Sequence, residues 1–362
     1  MKPSGSTAPL TWDHGAVTEI RAATSHPAVL AVTKKALTRR TVAEARLSEL
    51  GVGAKSVDLL AARLMSNSRL TLNFHPDRRD SQGRTVAAGL LADGTYRSQF
   101  ETGISNGARF AVPGGDRTKW EHDLFDSTYT DEQLIRPVYG ALDVFHDPYG
   151  GAPRFGSCSV VLEPHCLDRA TFCVGDSHLE PIDLGTTTEP SSILAGAVED
   201  CSTGDGFGRG LSVDAFLNGL AARRGQTRSA RELDRYIEAQ VHGGVDLAHD
   251  VASVVLDPSF RRSDIERDLD AAATRYGFDL RWNEGSEVTP DAIDPKFRGG
   301  DMPSLARRVA RSNGLVDAAA IGVPLAALPF TPPSRTGDSE ESDLQRYKKL
   351  WHCCLRYGSP SE

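Results

Sequence analysis

The spacing of apolar and polar positions changes character several times along the chain. Residues 1–24 show no period and are rich in Ser, Thr, Gly and Pro, the composition of a flexible leader. Two stretches with helical spacing follow, HPAVLAVTKKALTRRTVAEARLSELG and KSVDLLAARLMSN, and predict a helical N-terminal region over 25–68. From LTLNFHPDR onward the texture turns to short strand-like runs broken by Gly, Pro, Asn and Asp: TYRSQFETGIS, RPVYGALDVF, GSCSVVLEP and RATFCVGDS. Helical patterns interrupt them at SSILAGAVEDC and VDAFLNGLAARR, and the strand pattern returns at YIEAQVHG. Together these runs predict a curved mixed or antiparallel sheet over 69–258. Beyond ASVVLDPSF the pattern is mainly helical to 330, in RRSDIERDLDAAATRYG and MPSLARRVARSNG. Residues 331–362 read as a polar linker and a short basic terminal helix or tail.

One strand-like run carries an unusual polar row. In YIEAQVHGGVDL the alternation gives an apolar face, Ile237, Ala239 and Val241, and a polar face, Glu238, Gln240 and His242. Such a row either faces water or lines a cleft.

Composition narrows what that cleft could serve. A chain of 362 residues, 39% hydrophobic and 25% charged, has apolar mass for one large core or two ordinary ones. No apolar run approaches the roughly 20 residues needed to cross a bilayer. The N-terminus MKPSGSTAPLTWDHG lacks the apolar segment of a secretory signal. A soluble protein with no membrane partner is the expectation, and export would need another route. A formal net charge of -8 argues against a broad nucleic-acid footprint, so phosphate recognition has to be local. The six cysteines form no CxxC, and Cys353 and Cys354 are adjacent, which points to buried free thiols rather than a metal site or a disulfide framework.

Several short stretches carry candidate chemistry, each with a plainer structural reading beside it. GDGFGRG at 204–210 is glycine-rich, but a helix-like segment precedes it and the spacing is not that of a dinucleotide loop, so an interhelical loop is expected. In LTLNFHPDR, His75 and Arg78 stand at a strand end where Pro76 turns the chain; Arg78 offers a bidentate fork for pyrophosphate or carboxylate, or is a solvated turn residue. TYRSQFETGISNGARF brings Phe100, Glu101, Thr102, Ser105, Asn106 and Gly107 into one passage, fit for aromatic stacking and close backbone approach, or for an ordinary Asn-Gly turn. In PGGDRTKWEHDLFD, Asp116 follows a Gly-Gly pair and is read as the N-cap of a helix through KWEHDLF, with Trp120 and Glu121 beyond.

Taken together, HPDR, YRSQFETGISNG, GGDRTKWE, RPVYGALD and YIEAQVHGGVDL resemble a family of bacterial effectors, first defined as a domain of unknown function, that are PARP-like ADP-ribosyltransferases modifying a threonine of host ubiquitin. The resemblance covers roughly residues 60–280. It implies an α+β fold with an ADP-ribosyltransferase-like split mixed sheet over 69–258 and helical additions at both ends. It further implies NAD as co-substrate without a metal, and ubiquitin as partner. The bacterial cytoplasm is the expected location before delivery to the host cytosol. Carried over residue by residue, the catalytic Glu matches Glu238 and the catalytic Asp matches Asp116. Arg78 is similar to the strand-end Arg of the Arg-Ser-Glu class, and His75 to the His of the His-Tyr-Glu class. Ser105, or Ser98 behind it, answers to the second-strand Ser. The usual Glu-x-Glu is absent, because Gln240 and Tyr236 flank Glu238.

The chemistry implied by the resemblance explains these residue types. Cleaving the bond between nicotinamide and ribose develops positive charge on the sugar, as in glycoside hydrolysis, and Glu238 stabilises it. A threonine hydroxyl needs a base, the role that falls to Asp116. Arg78 clamps the pyrophosphate, Phe100 or Trp120 stacks on a ring, and His75, Thr102, Ser105, Asn106, Gly107 and Gln240 shape the cofactor pocket. Two other outcomes share this cleft: an NAD glycohydrolase, with water as acceptor, and a non-enzymatic ubiquitin-binding module.

Overall fold

The computed structural model describes residues 26–104, 114–130, 134–222, 233–328 and 343–361. The two N-terminal helices are α1 (Pro27–Glu49), which His26 caps by accepting from the Ala28 N–H, and α2 (Ala54–Asn67). The chain then enters β1 (Arg69–Phe74) and crosses α3 (Val86–Asp93), the single turn α4 (Gln99–Thr102) and α5 (Asp116–Leu124). Three strands follow, β2 (Val138–Asp143), β3 (Cys158–Leu162) and β4 (Ala170–Val174), and then the short β5 (Leu184–Gly185). Helices α6 (Ser191–Ser202) and α7 (Val213–Ala222) precede β6 (Ile237–Val241), the turn α8 (Leu247–Asp250) and β7 (Val251–Leu256). The last elements are α9 (Asp264–Tyr276), β8 (Asp279–Trp282), α10 (Met302–Val309), α11 (Ala318–Ala326) and α12 (Asp343–Tyr357). No described helix is long and apolar enough to cross a membrane.

The architecture is mixed α/β, with an eight-stranded sheet in the order β5-β4-β6-β2-β1-β3-β7-β8. All its pairs are antiparallel except β7 with β8. The sheet splits between β1 and β2. Their pairing runs only from Arg69↔Asp143 to Thr71↔Ala141. Beyond it, Leu72–Phe74 pair with β3 alone and Val138–Gly140 with β6 alone. Gly140 sits at the fork because a Cβ there would lie 2.3 Å from the Thr71 carbonyl oxygen.

One face of the sheet is apolar and carries the main core. Leu72, Phe172, Ile237 and Ala239 share that core with Leu47 and Leu64 of the N-terminal helices, Val198 of α6, and Leu305 and Trp351 near the C-terminus. The terminal segment is therefore no appendage: Leu350, Trp351, Cys353 and Cys354 are fully buried. The apolar i, i+3, i+4 spacing in YKKLWHCCL was too short to distinguish a docked helix from a tail. All six cysteines are buried free thiols.

Two local expectations give way. TYRSQFETGIS is not a strand but a loop leading into α4, because Ser98 and Glu101 form a capping box; the Ser98 N–H donates to Glu101 Oε2 at 2.8 Å. No serine lies in β2 (VYGALD), and Ser98 is the N-cap of α4, so Ser98 is not a second-strand residue. The segment 204–210 is a loop between α6 and α7, with Gly204, Gly208 and Gly210 at positive φ.

Candidate functional site

The polar row on β6 does not face water: Glu238 is 7% exposed, Gln240 1% and His242 0%. Glu238 lies opposite Ala141 of β2 and Cys173 of β4, just where the sheet parts. Gln240 Nε2 donates to its Oε1 at 2.8 Å, and the Tyr236 hydroxyl oxygen stands 3.4 Å from its Oε2. Burial raises the Glu238 pKa above the ordinary carboxyl range. Hydrogen bonds from Ser177 and Gln240 oppose that rise, Asp176 adds to it and Arg117 counters it.

Helix α5 supplies the facing wall. Its helical spacing presents Arg117, Trp120 and Glu121 together. The Arg117 guanidinium carbon stands 4.7 Å from the centre of the Trp120 ring and 4.5 Å from that of Tyr139, a β2 residue. Glu121 is fully buried and ties this wall down: Arg136 Nη1 donates to Oε2 at 2.6 Å and the Tyr139 hydroxyl to Oε1 at 2.8 Å. Among the described residues, Nε and Nη1 of Arg117, Nε1 of Trp120 and Oε1 of Gln99 are buried with no hydrogen-bond partner, Nη1 standing 3.9 Å from Glu121 Oε1. Glu238, Tyr139, Arg117 and Trp120 line a cleft of about 200 Å³, and His75 and Arg154 also border it.

A second carboxylate belongs to this cleft. Asp176, in the loop after β4, accepts a hydrogen bond from the Tyr236 hydroxyl, which also reaches Glu238, and forms an ion pair with Arg154 at 3.7 Å. The Asp176–Tyr236–Glu238 arrangement puts two acids on one phenol.

The residues expected from sequence are partly assembled. Glu238, Trp120, Thr102 and His75 line the cleft. His75 is neutral, since burial holds its pKa well below 6.5, and its ring meets Trp351 edge-on at 5.7 Å. Arg78 is outside the lining residues; it is buried beside Asp77, and desolvation pushes its pKa down to about 10. Asp116 is likewise outside, exposed in the first turn of α5, where Gly115 is the N-cap and Lys119 pairs with it at 3.9 Å. Phe100 stacks under Arg136 at 4.3 Å, and Gln240 lies behind Glu238. Ser105, Asn106 and Gly107 lie outside the described residues.

Sequence reasoning missed Arg117, Tyr139 and Asp176, and it named Glu121 without a role. A signal existed for two of them: the strand alternation of RPVYGALDVF puts Tyr139 and Ala141 on one face, and Glu121 follows Arg117 by four on a helix. Nothing local marks Asp176, whose importance comes from a strand sixty residues away.

A separate cluster, His165, Cys166 and Asp250, brings potential metal-binding atoms within 4.8 Å of one another. Arg169 already compensates it, donating to Asp250 Oδ2 at 2.6 Å and lying 3.6 Å from Cys166 Sγ.

A family model described as "Protein of unknown function (DUF3626)" matches residues 69–357. The Gene 2 protein of Mycobacterium phage L5 is 27% identical over 176 residues, 46% of this chain and 59% of the phage protein. The Gene 2 protein of Mycobacterium phage D29 is 27% identical over 175 residues, with the same 46% and 59% shares. The chain thus spans less than two thirds of the length of these curated relatives.

Proposed function

The chain belongs to the DUF3626 family of proteins of unknown function, and within it we propose an NAD-dependent mono-ADP-ribosyltransferase that modifies a protein hydroxyl, with a threonine of ubiquitin as the acceptor and loss of host ubiquitination as the result. The observation that carries this reading is the set of buried donors on Arg117 and Trp120 that make no hydrogen bond among the described residues, in the cleft that holds Glu238. Buried polar groups lacking partners call for a ligand that supplies them. A pyrophosphate offers acceptors for the Arg117 fork, and the Trp120 and Tyr139 rings suit a flat heterocycle. The splayed β1 and β2, with Glu238 beside the fork, also support an ADP-ribosyltransferase-like core.

NAD would supply the bond that breaks, between nicotinamide and ribose. Glu238, buried and held by Gln240 and Tyr236, would stabilise the positive charge developing on the sugar. As the acceptor oxygen bonds to the sugar carbon, its proton goes to a base. Asp176 takes that role here in place of Asp116, because it shares Tyr236 with Glu238 and lines the cleft while Asp116 does not. Arg117 replaces Arg78 as the phosphate clamp on the same ground.

The experiment is intact-mass measurement of ubiquitin after incubation with NAD and either the protein or its Glu238→Ala form. One added ADP-ribose, reduced roughly 10²–10³-fold by the substitution, is the expected result. Nicotinamide release with no added mass would replace the reading with NAD hydrolysis. Absence of both release and NAD binding would leave a binding module.

A further inference from the structure

Behind Glu238 a chain of four hydrogen bonds runs away from the cleft: Gln240 Nε2 to Glu238 Oε1 at 2.8 Å, Thr171 Oγ1 to Gln240 Oε1 at 2.7 Å, Thr171 Oγ1 with His242 Nε2 at 3.0 Å, and Tyr129 Oη with His242 Nδ1 at 2.5 Å. Proton counting gives each link a direction. The Thr171 hydroxyl has one proton and gives it to Gln240, so its oxygen must accept from His242 Nε2. His242 is neutral, because burial, with His26 and Arg169 nearby, holds its pKa well below 6.5. A neutral imidazole with its proton on Nε2 leaves Nδ1 to accept the Tyr129 proton. Every donor therefore points toward Glu238.

We propose that Tyr129, His242 and Thr171 form a positioning relay that locks the Gln240 amide with its NH₂ end against Glu238 and so holds that carboxylate ionised and oriented. The reversed amide would set oxygen against oxygen unless Glu238 carried a proton, in which case all the links would turn round together. The catalytic consequence rests on the role given to Glu238 above; the relay itself does not.

Other groups act on the same two residues. Asp176 and Ser177 from the loop after β4, Cys173 of β4, Arg117 of α5, Tyr139 of β2 and neighbouring Tyr236 face Glu238. His242 is faced by His26, stacked at 5.0 Å, and by Arg169, Tyr129 and Phe125. Thr171 touches Gln240 and not Glu238, so loss of a relay member acts on the carboxylate through Gln240.

The test needs no activity. Nitrogen NMR of His242 should report the Nε2-protonated tautomer at neutral pH. Carbon NMR should follow the Glu238 carboxyl titration in the native protein and in Thr171→Val, Thr171→Ser and Tyr129→Phe. Thr171→Val should raise the Glu238 midpoint by about 0.5–1 on the pH scale, the size expected for weakening one hydrogen bond to a charged group. Thr171→Ser should restore the midpoint, and Tyr129→Phe should raise it by less. An Nδ1-protonated His242, or an unmoved midpoint in whichever of Thr171→Val and Tyr129→Phe keeps the native fold, would overturn the relay. A moved midpoint in a protein that fails to bind NAD would uphold the relay and defeat the transferase reading instead.

Discussion

The guanidinium carbon of Arg117 lies 4.5 Å from the centre of the Tyr139 ring, so that a helix residue and a strand residue meet across the cleft beside the fork of the sheet. Glu121 enforces the meeting, since it binds the Tyr139 hydroxyl directly and stands 3.9 Å from Arg117 Nη1. The wall of the site is thus one interlocked unit.

Arg117→Lys keeps the charge but loses both the planar fork and the stacking between two rings. NAD affinity measured by calorimetry should fall about 10–100-fold, the value of a hydrogen-bonded charge contact. Native affinity in the lysine variant would remove Arg117 from the ligand site.

Gly140→Ala tests the fork. The added Cβ would meet the Thr71 carbonyl oxygen and the Leu72 side chain, and backbone cannot swing away as a flexible side chain can. Overpacking of this kind costs about 1–3 kcal/mol, to be read as a lower urea midpoint with unchanged slope. A neutral effect would mean that the two strands separate more easily than their close approach implies.

Much of the fold was legible because it rests on local pattern. Both N-terminal helices and the strands containing LTLNF, VYGALD, CSVVL, ATFCV and IEAQV follow their spacing of apolar residues. TYRSQFETGIS misled because a capping box overrode its strand-like composition. The site was legible at Glu238, whose carboxylate interrupts a buried strand, and at Trp120. Asp116 and Arg78 illustrate the limit. A glycine turn and a strand end mark where a side chain could enter a cleft, but the direction each side chain takes depends on packing between distant segments. Asp176 became visible only when β4 and β6 stood side by side.

Asp257 gives a pH signature outside the cleft. It is fully buried, its Oδ2 has no partner, and desolvation raises its pKa from 3.8 to about 6. A carboxyl whose folded pKa lies above its unfolded one contributes stability that is complete below the unfolded value and is lost as pH rises through the folded one. That contribution therefore disappears between about pH 4 and pH 6, an effect of roughly 2–3 kcal/mol. Asp257→Asn retains an oxygen for the Ser259 N–H, bonded at 2.9 Å, and has no charge to bury. Its unfolding free energy should be higher than native at pH 7 and flatter across that window. A native pH profile in the variant would show that Asp257 does not titrate there.

Trp351 links the C-terminal helix to the site. The indole is fully buried, its Nε1 donates to the Pro153 carbonyl at 2.8 Å, and the next two residues, Arg154 and Phe155, line the cleft. Trp351→Ala should cost about 3–5 kcal/mol in urea unfolding, because it empties a large core volume and leaves the Pro153 carbonyl unpaired. Trp351→Phe fills most of that volume but still loses the donor, so it should cost less in stability while the Pro153–Phe155 turn keeps only the His352 Nε2 contact to the Arg154 carbonyl at 3.1 Å. The two variants separate support of the fold from support of the site. If the turn positions Arg154, NAD affinity in the phenylalanine variant falls more than its stability loss predicts. If the helix only fills the core, affinity stays native once the protein is folded.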